Sequence, residues 1–188
     1  MDKFSNYIKN SKVIEKTEDI LFQKGDYKLR EAEGWVYMDE PDMVIAIPYI
    51  VDENEIILRY EYIPTYKVRD NKDNYLTVLS GSLKKGEKHL DCLFREIQEE
   101  TGMAIRPNVE VKLLGDLFVS KGCKAKYHIY FIEVYNSDFE QLDAVGDGSE
   151  AEEKSQTIRI PVSHITQLKC EDTITAFCVE FLKNHFQL

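Results

Sequence analysis

The chain has 188 residues, 43% of them apolar, with 9 Gly, 5 Pro and a formal net charge of −10. That length suits one domain able to bury roughly 70% of the surface its unfolded chain exposes, so neither disulfide nor metal is needed merely to fold. Aromatic content of 11% excludes collagen-like and disordered classes, and 34 Asp+Glu against 24 Lys+Arg argues against a protein that lives on the nucleic-acid backbone.

The first 25 or so residues are polar with scattered apolar positions, the pattern of an arm or short strand. Residues 27–39 carry aromatic and β-branched side chains and predict one or two strands. Residues 43–51 are almost continuously apolar, as expected of a strand buried on both faces, and Asp52-Glu53-Asn54 then turns the chain into a second strand over 55–62. Residues 65–74 are polar and charged and read as an exposed loop. A short strand over 75–79 runs into Ser80-Gly81, and a loop over 82–87 leads to a helix over 89–101. Leu90, Leu93, Phe94 and Ile97 form its apolar stripe, and Gly102 stops it.

Strands over 109–119 and 125–134 follow, then a long acidic segment over 136–154, a short strand over 157–161 and a closing helix over 172–183. The sum is an α+β domain, an α/β/α sandwich around a mixed sheet. Residues 1–40 form an N-terminal arm with strands, and 41–188 the main domain. Cys92, Cys123, Cys170 and Cys178 form no CxxC pair and read as reduced core thiols. With no signal-peptide pattern and no apolar run of membrane length, the expectation is a cytoplasmic protein without membrane attachment. The four histidines are isolated in sequence and read as surface or buried polar groups.

The helix carries an unfavourable charge pattern. Glu96, Glu99 and Glu100 fall at spacings of three and four, where like charges cost roughly 0.2–0.5 kcal/mol per pair. Two of them crowd the C-terminus, where the helix dipole disfavours anions by a further ~0.3–1 kcal/mol each. A helix selected only for stability would place Lys or Arg there. One reading is a solvated acidic face on a scaffold without catalysis; the other is a set of oxygen ligands for divalent cations, through which an acidic protein acts on an anionic substrate.

The surrounding frame separates them. Gly81, five residues, Glu87, seven residues, then Arg95-Glu96-Ile97-Gln98-Glu99-Glu100-Thr101-Gly102-Met103 contains nine fixed positions, whose chance alignment falls below roughly one in a million. The pattern resembles the signature of the Nudix hydrolases. The resemblance implies a Nudix fold and Mg²⁺, with Mn²⁺ as a substitute. It makes Glu96, Glu99, Glu100 and the Ser80 carbonyl the metal ligands, Gly81 the turn that presents that carbonyl, and Glu87–Arg95 a salt bridge tying loop to helix.

The likeness extends over about residues 41–181 and is closest to the ADP-ribose pyrophosphatase and nucleotide-sugar hydrolase branch. Ser120-Lys121-Gly122 stands where that branch often has Ser-Pro-Gly. The Glu150-Ala151-Glu152-Glu153 stretch resembles the loop that supplies a further carboxylate, so Glu150, Glu152 and Glu153 join Glu99 and Glu100 as catalytic candidates, Glu152 slightly favoured. Where the branch carries Gln-Tyr-Arg before a proline, this chain reads Tyr60-Glu61-Tyr62, without the phosphate-contacting arginine. Lys121 replaces the proline associated with ADP-ribose selectivity, and Thr77 replaces a glutamate.

The implied substrate is therefore a nucleoside diphosphate linked to another moiety, cleaved by water into two monophosphates. Trp35, Arg59 and Lys121 are the weaker substrate-binding candidates, Trp35 as a base-stacking surface. The resemblance also implies a homodimer paired through the N-terminal strands. The alternative within the same fold is a silent nucleotide-sensing module.

Overall fold

The computed structural model describes residues 19–146 and 148–188, and of Asp19 and Glu152 the backbone alone. The expected arm over the first 18 residues lies outside the described residues. The apolar strand and its neighbour form β4 (Met43–Ile50) and β5 (Glu55–Tyr62), joined by a turn in which Asn54 adopts φ 56°. They sit in the middle of a seven-stranded mixed sheet with β9 (Val111–Phe118), β10 (Lys126–Val134) and β12 (Gln156–Pro161), in the order β12-β5-β4-β10-β9. β4 and β10 run parallel, and core clusters on both faces of the sheet bury them.

Alternation along β4 assigns each side chain to a layer. Ile45 and Ile47 face the closing helix, α4 (Thr173–Phe186), and pack with Ile129, Phe131, Ile174, Cys178 and Leu182. Val44 and Ala46 face the opposite helix, α2 (His89–Thr101), with Tyr130, Ile132, Cys92, Leu93 and Ile97. Strand period and helix stripe therefore select the same three-layer sandwich. Asp172 caps α4, its Oδ2 accepting from the Thr175 backbone N–H and from Thr175 Oγ1, both at 2.7 Å.

Three expectations change. Residues 65–74, read as a loop from their polarity, open with α1 (Pro64–Asp70): Pro64 needs no N–H at the helix start, and Asn71 ends the turn at φ 54°. The single strand over 75–79 is two, β6 (Asn74–Thr77) on β5 and β7 (Leu79–Ser82) on β4, so the chain changes neighbours at Val78. The acidic segment is not one loop. It contains β11 (Phe139–Gln141), paired with β8 (Met103–Ile105), and the short helix α3 (Glu150–Glu153). Local polarity hid α1 and α3, whereas the division into β6 and β7 follows from the neighbouring strands each one pairs with.

Upstream, β1 (Asp19–Lys24), β2 (Tyr27–Ala32) and β3 (Trp35–Asp39) form a separate antiparallel sheet. β3 is fastened to the main domain at its end: the Met38 N–H donates to the Gly122 carbonyl, and the Lys124 N–H to that of Met38, both at 2.8 Å. The four cysteines are free thiols, Cys92 and Cys178 fully buried. Among the described residues no helix is long and apolar enough to cross a membrane.

Candidate active site

A cleft of about 1570 Å³ opens where β7 passes the C-terminal half of α2. It is lined by Ser80 and Gly81 on the strand, Glu96, Glu99 and Glu100 on the helix, and Arg59 on β5. The register explains the approach. Gly81 pairs with Val44 and Ser80 with Ile45, which holds β7 flat against the central strand, directly beneath the helix.

Gly81 contributes room there rather than special dihedral angles. A Cβ on Gly81 would lie 1.8 Å from Glu96 Cδ and 2.0 Å from Glu96 Cγ, so the Glu96 side chain occupies the space that any other residue would fill. Beyond it, Arg95 organises the acidic groups. Its Nε and Nη2 donate to the two carboxylate oxygens of Glu87 at 2.9 and 3.1 Å, and its Nη1 reaches Glu96 Oε1 at 2.6 Å and Glu99 Oε2 at 3.0 Å. Hydrogen bonding from Arg95 holds the Glu87 carboxyl far below the usual carboxylate range, at about 2, with the Lys84 N–H assisting. The loop-to-helix salt bridge expected from the sequence is present. The same guanidinium also offsets the repulsion between Glu96 and Glu99.

Glu100 points the other way. Its side chain is 8% exposed and forms an ion pair with Arg59, itself 7% exposed. Burial holds the Glu100 carboxyl well above the usual range; Arg59 opposes this, while Glu96 and Glu61 push further upward. The solvated acidic face is therefore not what the helix presents. Arg59, a substrate-binding candidate, lines the cleft and forms this ion pair with Glu100.

The backbone of the helix end is fully used. Gly102 adopts φ 73° and donates to the Gln98 carbonyl. The Glu99 carbonyl accepts from the Gly146 N–H at 3.0 Å, that of Glu100 from Thr157 Oγ1 at 2.7 Å and that of Thr101 from Gln141 Nε2 at 2.9 Å. The acidic segment thus folds back as a cap over the end that carries the glutamates.

Other candidates scatter. Glu153 lines a recess adjoining the cleft together with Glu99, Glu100 and Arg59. Glu150 is exposed and pairs with Lys154, which lowers its pKa. The Glu152 side chain lies outside the described residues. Lys121 lines a separate surface hollow with Phe118 and Cys123, and Trp35 lies 60% exposed on β3, so neither is among the residues that line the main cleft. The histidines are not all isolated: α2 and β10 bring His89 and His128 to 3.8 Å between ring centroids, and His128 Nδ1 lies 2.7 Å from Asp116 Oδ1.

The residues missed from sequence are Glu61 and the β1–β2 turn, whose Lys24 and Tyr27 border the cleft. Glu61 follows Arg59 by two on one strand, a spacing that places both on one face; the turn carries no comparable signal.

The family model of the NUDIX domain matches residues 40–169. The chain belongs to the Nudix family. No curated protein sequence matches this Nudix protein. Among solved structures, an ADP compounds hydrolase aligns over 94% of this chain and 96% of its own, with a TM-score of 0.66 at 17% identity. A structure from work on MutT of Aliivibrio salmonicida and Vibrio cholerae aligns over 77% of this chain and 97% of its own, with a TM-score of 0.54 at 14% identity. At these identities the likeness establishes the shared fold.

Proposed function

We propose that this Nudix protein is a divalent-metal-dependent hydrolase that cleaves the diphosphate of a nucleoside diphosphate linked to another moiety, of the ADP-ribose or nucleotide-sugar kind, into two monophosphates. One observation carries the reading: Glu100 Oε2 is buried, lines the cleft and has no hydrogen-bond partner among the described residues. Leaving a buried carboxyl oxygen unmatched costs ~1–3 kcal/mol or more. A cation supplies the missing partner. Among the described residues no three His, Cys, Asp or Glu side chains already converge as a metal site, because Arg95 and Arg59 hold the three glutamates in ion pairs.

The donor set suits Mg²⁺ or Mn²⁺: hard oxygens of Glu96, Glu99, Glu100 and the Ser80 carbonyl, on rigid elements. When bound, such ions polarise phosphoryl oxygens and lower the pKa of a coordinated water. The chain's own contribution is to position and to move a proton. Arg95 sets Glu96 and Glu99, with Glu87 holding Arg95 in place, and Gly81 lets Glu96 lie against the strand. Glu99, or a carboxylate of the 150–153 segment, accepts the proton of the attacking water. Of these, Glu153 is supported by its recess beside Glu99 and Glu100.

We also infer a homodimer in the cytoplasm. Ile20, Phe22, Trp35 and Val36 of the N-terminal sheet are about half or more exposed, an apolar surface suited to a second copy, and four free thiols suit a reducing compartment.

The test is a panel of ADP-ribose, NADH, dinucleoside polyphosphates and GDP- and UDP-sugars with Mg²⁺ or Mn²⁺, products separated by chromatography. At least one compound yields two monophosphates, and Glu99→Gln abolishes the reaction. Binding of a panel member without any cleavage by the wild-type protein would replace this reading with that of a sensor.

A further inference from the structure

Glu61 faces the cleft with no part in the signature motif. It lies two residues beyond Arg59 on β5, so both side chains leave the same face of the strand, and both line the cleft beside Glu96, Glu99 and Glu100. β6 sets its position: Arg59 pairs with Thr77 and Glu61 with Tyr75, and Thr77 Oγ1 donates to Glu61 Oε2 at 3.0 Å. Thr77 is buried, so this hydrogen bond is shielded and holds the carboxylate on the cleft side of the sheet. Glu61 also acts electrostatically on Glu100, whose Oε2 has no hydrogen-bond partner among the described residues.

Charge balance points the same way. Glu61, Glu87, Glu96, Glu99 and Glu100 gather around two guanidinium groups, Arg59 and Arg95. Lys24 and Lys84 also line the cleft, but with Asp26 its carboxylates still outnumber its cations, and an excess of one sign draws in multivalent cations. A carboxylate serving only to satisfy Thr77 would be interchangeable with an amide, since an amide oxygen accepts the same hydrogen bond.

We propose that Glu61 is a fourth carboxylate of the cation site, sharing a divalent ion with the Glu100 oxygen on the opposite wall of the cleft. This rests on the metal-dependent reading above and extends the donor set from the helix to the sheet. Glu61 thereby couples β5 to α2 through the ion, where the metal-free protein couples them through Arg59 and Glu100.

The experiment is Mn²⁺ titration of the full chain without substrate, followed by calorimetry and by the electron paramagnetic resonance of free Mn²⁺. Glu61→Gln keeps an acceptor for Thr77, so its metal-free melting temperature stays near that of the wild type. It binds one Mn²⁺ equivalent fewer, or binds its weakest equivalent at least tenfold less tightly, and Glu61→Asp recovers part of the loss. Wild-type binding by Glu61→Gln, with loss in Glu99→Gln, would overturn the proposal and leave the metal-dependent reading standing. Equal loss in the Gln and Asp variants would also overturn it. No Mn²⁺ uptake by the wild type at millimolar concentration would overturn both. Should Glu61→Gln fail to fold, the Asp variant decides by whether it keeps the wild-type number of equivalents.

Discussion

Replacing Gly81 with alanine tests the geometry of the cleft at its tightest point. The new Cβ would sit 1.8 Å from Glu96 Cδ, where ordinary contact begins at 3.4 Å, so the carboxyl group must retreat by about 1.6 Å. The strand has little freedom to yield instead, because Val44 and Ile45 of β4 pair with Gly81 and Ser80. Retreat of Glu96 breaks its 2.6 Å contact with Arg95 and takes one of the proposed ligands out of place. Overpacking of this kind costs ~1–3 kcal/mol of stability, and an ångström of misplacement at a reacting centre costs on the order of 10²-fold in rate.

The assay is steady-state hydrolysis of whichever panel compound is cleaved, with Mn²⁺ titration and thermal melting in parallel. The expected result is a fall of about 10²-fold or more in kcat and weaker Mn²⁺ binding, with a melting temperature lowered by only a few degrees. A Gly81→Ala protein with wild-type turnover and metal affinity would refute the reasoning, because it would show that the position of Glu96 is immaterial.

Glu87→Gln removes the charge that holds Arg95 and lowers stability at neutral pH by ~1.5–3 kcal/mol, measured by urea denaturation. Because the folded carboxyl titrates near 2 rather than the usual 4.5, its stabilisation is complete above about 4.5 and is lost as pH falls from 4.5 toward 2; in that window the variant's denaturation midpoint varies less with pH than the wild type's. Gly102→Ala forces a side chain into φ 73° and places its Cβ 2.1 Å from the Leu142 carbonyl oxygen, so the left-handed penalty of ~1–2 kcal/mol is a lower bound on the loss measured by thermal melting. Asp172→Ala uncaps α4 and strands the hydroxyl of the fully buried Thr175, for a loss of about 1–2 kcal/mol in urea denaturation without effect on Mn²⁺ binding.

The sandwich, the two central strands and the helix His89–Thr101 were legible because their hydrophobic period matches the element each forms. Met43–Ile50 and His89–Thr101 lie within a residue of where the pattern puts them. Elements held by long-range hydrogen bonds were not legible in this way. The division of one apolar run into β6 and β7 depends on β5 and β4 lying alongside, and α1 forms in a stretch too polar to show a buried face.

The amino-acid order alone determined that Glu96, Glu99 and Glu100 share one helix between a glycine before and a glycine after. Spacing along a helix is local geometry, set by 3.6 residues per turn. Helix spacing also lets Glu96 and Glu99 share Arg95, whereas the tertiary structure alone decided that Glu100 is buried on Arg59, with Glu61 of the same strand lining the cleft. The counter-charge of Glu100 comes from Arg59 on β5, 41 residues away in the chain, and no local pattern encodes it.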